Sequence, residues 1–165
     1  DEGHPDMVPL YVIQGWCGVR KSESLRLEFS DINWQTRQIE VTKSNSKTKT
    51  RRLCDIEDAP FLYLLPYEGK TGPIAPLNHA RMFKADRLRL NLFDSWTRNC
   101  LRHSCGTYHV AHFRDKGKTS TMMGNSIEIL NKHYDGVVTS DLGLEWYNIR
   151  PAKIDTVISD KSLVV

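Results

Sequence analysis

"TRNCLRHSCGTYHV", residues 97–110, decides how this chain is read. Trp96, Cys100, Cys105 and Tyr108 recur at helical intervals, and Ala111 closes the stripe, which predicts a core-facing helix over 92–113. Arg102 falls within that helix, with Asn99 one turn before it and His103 directly after. A guanidinium is rarely buried unless an anion meets it. The helix therefore points to a site at which Arg102 receives a negatively charged partner.

Working outward, the same kind of pattern lays out the rest of the chain. On the C-terminal side, "KGKTSTMMGNSIEILNKHY" reads as a short helix stopped by Gly124 and a new helix starting there. Asn125 and Glu128 stand three apart like a capping box, and Ile127, Leu130 and Tyr134 share one helical side. Thr139 or Ser140 caps a last helix running through "LGLEWYNIRP", which Pro151 ends. On the N-terminal side, "VPLYVIQGW" (8–16) is a short apolar helix ending near Gly15 and Gly18. "VRKSESLRLEFSDI" continues as a second helix, with Val19, Glu23 and Leu27 at turn spacing. "RQIEVTKSNSKTKTRRLCDI" alternates apolar and polar residues on either side of a Ser/Asn/Lys turn, the pattern of a β-hairpin. "APFLYLLPYEGKTGPIAP" gives a short apolar helix and a Gly/Pro loop, and a further helix covers 76–88. The expected fold is α+β: a mostly helical single domain with an early antiparallel β-hairpin or three-stranded sheet.

Composition agrees with one domain. The chain has 165 residues, 39% hydrophobic and 26% charged, the balance of an ordinary globular protein. No apolar run has the length of a membrane span, and the acidic, proline-punctuated opening "DEGHPDMVPL" is unlike a signal peptide. Cys17, Cys54, Cys100 and Cys105 show no CxxC spacing and sit beside apolar residues, so they read as reduced core thiols of a cytoplasmic protein. A net charge of +3 says little about nucleic acid, but its distribution says more. "KSNSKTKTRR" (43–52) holds five cations and no acid, and "NHARMFKADRLRL" (78–90) holds four, with His79 beside them, against Asp86 alone. Clusters of this kind are either solvated turns or a phosphate footprint.

Taken singly, Arg20, Lys47 and Tyr134 have ordinary explanations: a surface pair with Glu23, a solvated turn, a core tyrosine. Their order along the chain carries more. "GVRKSESLRLEFSDINW" resembles the "GLRxxELxxLxWxDID" box of the tyrosine recombinases, or phage integrase family, and "LRHSCGTYH" resembles its "LRHTFAT" box. "MGNSIEILNKHY" is similar to "LGHSxxxxTxxYxH", and "WYNIRP" to the ending of bacterial members. The four boxes stand in register from about residue 8 to residue 151.

The resemblance implies an integrase-like catalytic core over 1–151, with 152–165 as a tail exchanged between protomers. It implies strand cleavage by a tyrosine, giving a 3′-phosphotyrosine and a free 5′-hydroxyl, and religation without cofactor or metal. Tyr134 matches the nucleophile. Arg20 and Arg102 match the pair of arginines whose planar forks grip the non-bridging phosphate oxygens. Lys47 matches the hairpin lysine that protonates the departing 5′ oxygen, and Glu23 matches a glutamate that orients a nearby cation. The expected partner is double-stranded DNA, bound by a tetramer on paired sites. The family's N-terminal DNA-grasping domain is expected to be missing from this chain, which leaves weak, salt-sensitive binding. The implied function is site-specific recombination of phage or mobile DNA in the cytoplasm.

Two positions depart from the family. Asn99 stands where the second-arginine box usually has His, and Asn125 where His or Trp usually follows the glycine. An amide donates a hydrogen bond to phosphate but cannot hold a proton, and a phenol with a pKa of about 10 needs a base or strong cationic support to attack. His103 and His133, each next to a key residue, point about 100° away from it on a helix, so neither is expected to stand in. His109 and His112 are expected on the helix flank. An active or slowed strand-exchange enzyme, a remnant that only binds DNA, and a type IB topoisomerase are the readings that this pattern leaves open.

Overall fold

A computed structural model describes residues 3–46 and 50–152. Helix α1 (Val8–Gly15) enters the core through Leu10, Val12 and Ile13, and its chain turns at Gly18, whose φ of 61° suits glycine. The second predicted helix is only the four residues of α2 (Lys21–Ser24). Beyond it the chain passes through a single 3₁₀ turn at Phe29–Asp31 into strand β1 (Ile32–Asn33). The hairpin forms as expected from β2 (Gln38–Val41) and β3 (Arg52–Asp55), and the antiparallel order is β1-β2-β3. Register pairs Ile32 with Ile39 and Ile39 with Cys54, so one row of the sheet is apolar and fully buried.

Helix α3 (Asp58–Leu64) follows, then α4 (His79–Arg89). The pivotal helix α5 spans Cys100–Phe113, shorter than the predicted 92–113. Asn99 adopts a left-handed conformation, φ 60°, and that backbone cannot continue an α-helix toward Trp96. The buried face of α5 is also displaced from the predicted stripe. It consists of Arg102, Cys105, Gly106, His109 and Val110. Helix α6 (Lys116–Met123) ends at Gly124, φ 62°, as the sequence indicates, and α7 (Ile127–His133) carries Leu130 into the core while Ile127 stays exposed. Helix α8 (Ser140–Tyr147) is capped by Thr139, whose hydroxyl accepts from Leu142 N, and packs along α5. Trp146 of α8 stacks between Trp16, at 4.8 Å, and Tyr108, at 4.5 Å. The "WYNIRP" ending is thus the clasp that holds α8 to α1 and α5. Cys17, Cys54 and Cys105 are buried free thiols, and Cys100 is half-buried. The tail 153–165 lies outside the described residues.

His109 is fully buried, not on the flank as predicted, because it shares the core face of α5 with Cys105 and Gly106. The Thr119 hydroxyl donates to the Asp115 carbonyl, so its oxygen accepts from His109 Nδ1, 2.7 Å away. Nε2 is buried without a partner among the described residues, facing an aromatic surround of Phe113 and Tyr147. Burial, with Lys118 and His112 adding to it against Asp55 and Asp115, pushes the imidazole down to about 3. The unfolded chain takes up this proton near 6.5, so stability is fully present above that pH and falls as pH drops toward 3. The loss from this group is about 3 kcal/mol between pH 7 and pH 4. Urea unfolding at the two pH values should show a smaller difference in His109→Phe than in wild type by that amount; equal differences would show that His109 titrates normally.

Candidate active site

Arg20 sits at the N-cap of α2, and Glu23 at the third helical position accepts from its backbone N–H at 3.1 Å. The same carboxylate meets the Arg20 guanidinium at 3.1 Å. This is not the surface pair that the sequence allowed, since Glu23 is fully buried. Its burial is possible because a second guanidinium, Arg52 from β3, closes on Glu23 Oε2 at 2.5 Å and also donates to the Met122 carbonyl at 3.0 Å. Arg52 was missed by motif reading. Strand alternation places it on the face of Cys54 and Ile56, which is where it could have been found.

Arg102 extends from the core face of α5. It donates to the Gly18 carbonyl, to the Met123 carbonyl at 2.8 Å and to Asn125 Oδ1 at 2.9 Å. Two buried arginines therefore differ in one respect. Arg52 has a carboxylate, whereas Arg102 is met by neutral oxygens, with no ion pair among the described residues. Burial, with the Arg20 charge adding to it, pulls the Arg102 guanidinium down to about 10, and it remains a cation at neutral pH.

Asn125 joins the two arginines. Its Oδ1 lies 2.9 Å from Arg102 and 3.2 Å from Arg20, and Arg20 also donates to the Gly124 carbonyl at 2.7 Å. The predicted capping pair of Asn125 and Glu128 does not form. Ser126 caps α7 instead, accepting from Ile129 N. Two guanidiniums are stronger partners for the amide oxygen than one backbone N–H, so Asn125 turns to the arginines and the helix begins one residue later.

Tyr134 ends α7, 5% exposed, with its ring against Gly106; a Cβ on Gly106 would stand 3.0 Å from three ring carbons. Glycine at 106 is what lets the ring approach α5. Burial raises the phenol's pKa, and the charges of Arg102 and Arg20 both oppose that rise. The hydroxyl lies 3.1 Å from His103 Nδ1, a contact the sequence argument set aside. Residues 103 and 106 are neighbours on a helical face. A ring seated on Gly106 therefore meets His103 even though His103 and Arg102 diverge.

Beside Arg20 and Arg102 opens a cavity of about 860 Å³. Lys21, Lys84, Arg87 and Arg98 line it, and exposed Asn99 stands in its wall. The cationic stretch 78–90 contributes through α4, whose single acid, Asp86, is buried and held by His4 at 2.9 Å and Tyr11 at 2.8 Å. The structure thus brings Arg20, Arg102 and Asn125 into direct contact and sets Tyr134 within their field. Asn99 stands in the wall of the adjoining cavity. Lys47 lies outside the described residues.

Neither a protein-family model nor a curated protein matches the sequence. Among solved structures, XerA recombinase superposes with a TM-score of 0.61 at 17% identity, covering 89% of this chain and 59% of that one. The chain therefore spans less than two thirds of the length of that protein, and its fold is recombinase-like.

Proposed function

We propose that this chain is the catalytic domain, residues 1–151, of a site-specific DNA recombinase that cuts and rejoins strands through a 3′-phosphotyrosine. The observation that carries this reading is the single oxygen shared by Arg20 and Arg102 at 3.2 and 2.9 Å. Two guanidiniums that converge on one amide oxygen can share the oxygens of a phosphate in the same way, and Arg102 has no carboxylate of its own among the described residues. A non-bridging DNA oxygen entering there gives Arg102 the anion that its burial calls for. The recombinase-like fold and the cationic cavity support the same reading.

In this mechanism Arg20 and Arg102 bind the scissile phosphate and neutralise charge as the pentacoordinate phosphorus forms. Glu23, held by Arg52, fixes Arg20 in place. Asn125 and Asn99 supply hydrogen bonds from their amide nitrogens. Tyr134 attacks, and Lys47 protonates the leaving 5′ oxygen. The new phosphotyrosine conserves a phosphodiester bond, so religation needs no ATP, metal or other cofactor. Assembly as a tetramer on two DNA sites, with 152–165 passing to a neighbour, and an origin in a phage or other mobile element complete the proposal.

The test is a covalent adduct. The protein is incubated with a library of nicked duplexes of randomised sequence, in which the short fragment beyond the cut diffuses away and traps the intermediate. A denaturation-resistant protein–DNA species is expected, with the nucleotide mapped by mass spectrometry to the peptide containing Tyr134. Binding to duplex DNA without adduct would replace this reading with that of a DNA-binding remnant.

A further inference from the structure

We infer that His103 is the base that takes the phenolic proton of Tyr134 when the tyrosine attacks a DNA phosphate. This rests on the strand-exchange reading above and adds to it the group that the two asparagines leave unassigned. The geometry is direct: Tyr134 Oη lies 3.1 Å from His103 Nδ1, with the rings inclined at 42°. With the ring proton on Nε2, Nδ1 accepts from the phenol.

Among the described residues, the other groups near the phenol cannot do this. The amides of Asn99 and Asn125 hold no proton. Glu23 is fully buried and committed to Arg20 and Arg52. The Cys105 thiol is pushed up to about 12 by burial and stays protonated. His133 lies beside the phenol only at ring-centroid distance, 6.3 Å. His103, by contrast, is exposed, so its ring exchanges protons with water and both its forms are accessible. Burial of its inner edge, with Arg102 and His133 adding to it, holds its pKa below the ordinary histidine range, and the ring is neutral at pH 7.

The step balances. A bond forms between Tyr134 Oη and phosphorus as the bond from phosphorus to the 5′ oxygen breaks. The phenolic proton moves to His103 Nδ1, giving an imidazolium, and the departing oxygen takes its proton from the general acid, for which Lys47 is proposed. Religation runs the same transfers backward, with the imidazolium returning a proton to the tyrosine.

Single-turnover adduct formation on the randomised nicked duplexes, from pH 5 to pH 9, tests this. In wild type the rate should rise with pH through a value below 6.5 and then level. In His103→Gln it should fall by about 10²- to 10⁴-fold. The acidic limb should also vanish, leaving a rise only toward the alkaline range where the phenol ionises unaided. His103→Ala should regain rate when millimolar imidazole is added, which a merely structural loss would not do. A His103→Gln rate within threefold of wild type, with the acidic limb retained, overturns the assignment of His103 while leaving the recombinase reading intact. An absence of adduct from wild type overturns both.

Discussion

Arg102→Lys is expected to slow adduct formation by about 10²- to 10³-fold, and Arg102→Ala by more, on the same nicked duplexes. Lysine keeps the charge but not the fork. Arg102 spreads its donors over the Gly18 and Met123 carbonyls and Asn125 Oδ1. An ammonium on a flexible stem cannot hold the two backbone carbonyls and still present an N–H to an incoming oxygen. The backbone contacts explain why the geometry is precise. Gly18 lies at the turn after α1 and Met123 at the end of α6, so one guanidinium registers α1, α5 and α6 against one another. That makes Arg102 a structural strut as well as the proposed phosphate ligand, and unfolding must be measured alongside. If Arg102→Lys stays within tenfold of wild type while folded, the planar fork is dispensable and the phosphate clamp is wrong.

The geometry of the candidate site was legible in the sequence to the extent that its members occupy positions fixed by local motif. The turn before α2, the centre of α5 and the glycine stop after α6 each deliver one residue, Arg20, Arg102 and Asn125, and the three meet. Legibility ended where a side chain had two possible partners. Asn125 is a good N-cap by type, and nothing local reveals that two guanidiniums will compete for its oxygen; Ser126 takes the cap as a result. The start of α5 was misplaced because Trp96 continues the helical period in sequence, whereas the left-handed backbone of Asn99 is a tertiary outcome. His103 shows the limit most clearly. Its contact with Tyr134 depends on where a ring 31 residues away settles, and that is decided by the absence of a side chain at Gly106. Arg52 was within reach of sequence reasoning. It alternates with Cys54 on the buried side of β3, and it raises the question already asked of Arg102, here answered inside the protein by Glu23.

That contrast between the two arginines bears on Lys47, the one proposed catalytic residue outside the described part of the chain. Strand β3 begins at Arg52, whose guanidinium grips the carboxylate that holds Arg20. Strand β3 therefore begins at the end of the sheet nearest the clamp. Residue 47 stands five positions before 52, a reach of at most about 17 Å. Lys47 is proposed as the general acid; the competing role is one more phosphate ligand, and the leaving group tells these apart. With an ordinary phosphodiester, Lys47→Ala should lose about 10²- to 10⁴-fold in cleavage, because an alkoxide must be protonated as it departs. With sulfur in place of the bridging 5′ oxygen, the leaving group is a thiolate whose conjugate acid has a pKa near 8.5, and it departs without a proton. The variant should then match wild type, whereas Arg102→Lys should remain slow on both substrates. A Lys47→Ala defect of equal size with oxygen and with sulfur would make the lysine a phosphate ligand, leaving the departing oxygen without its acid.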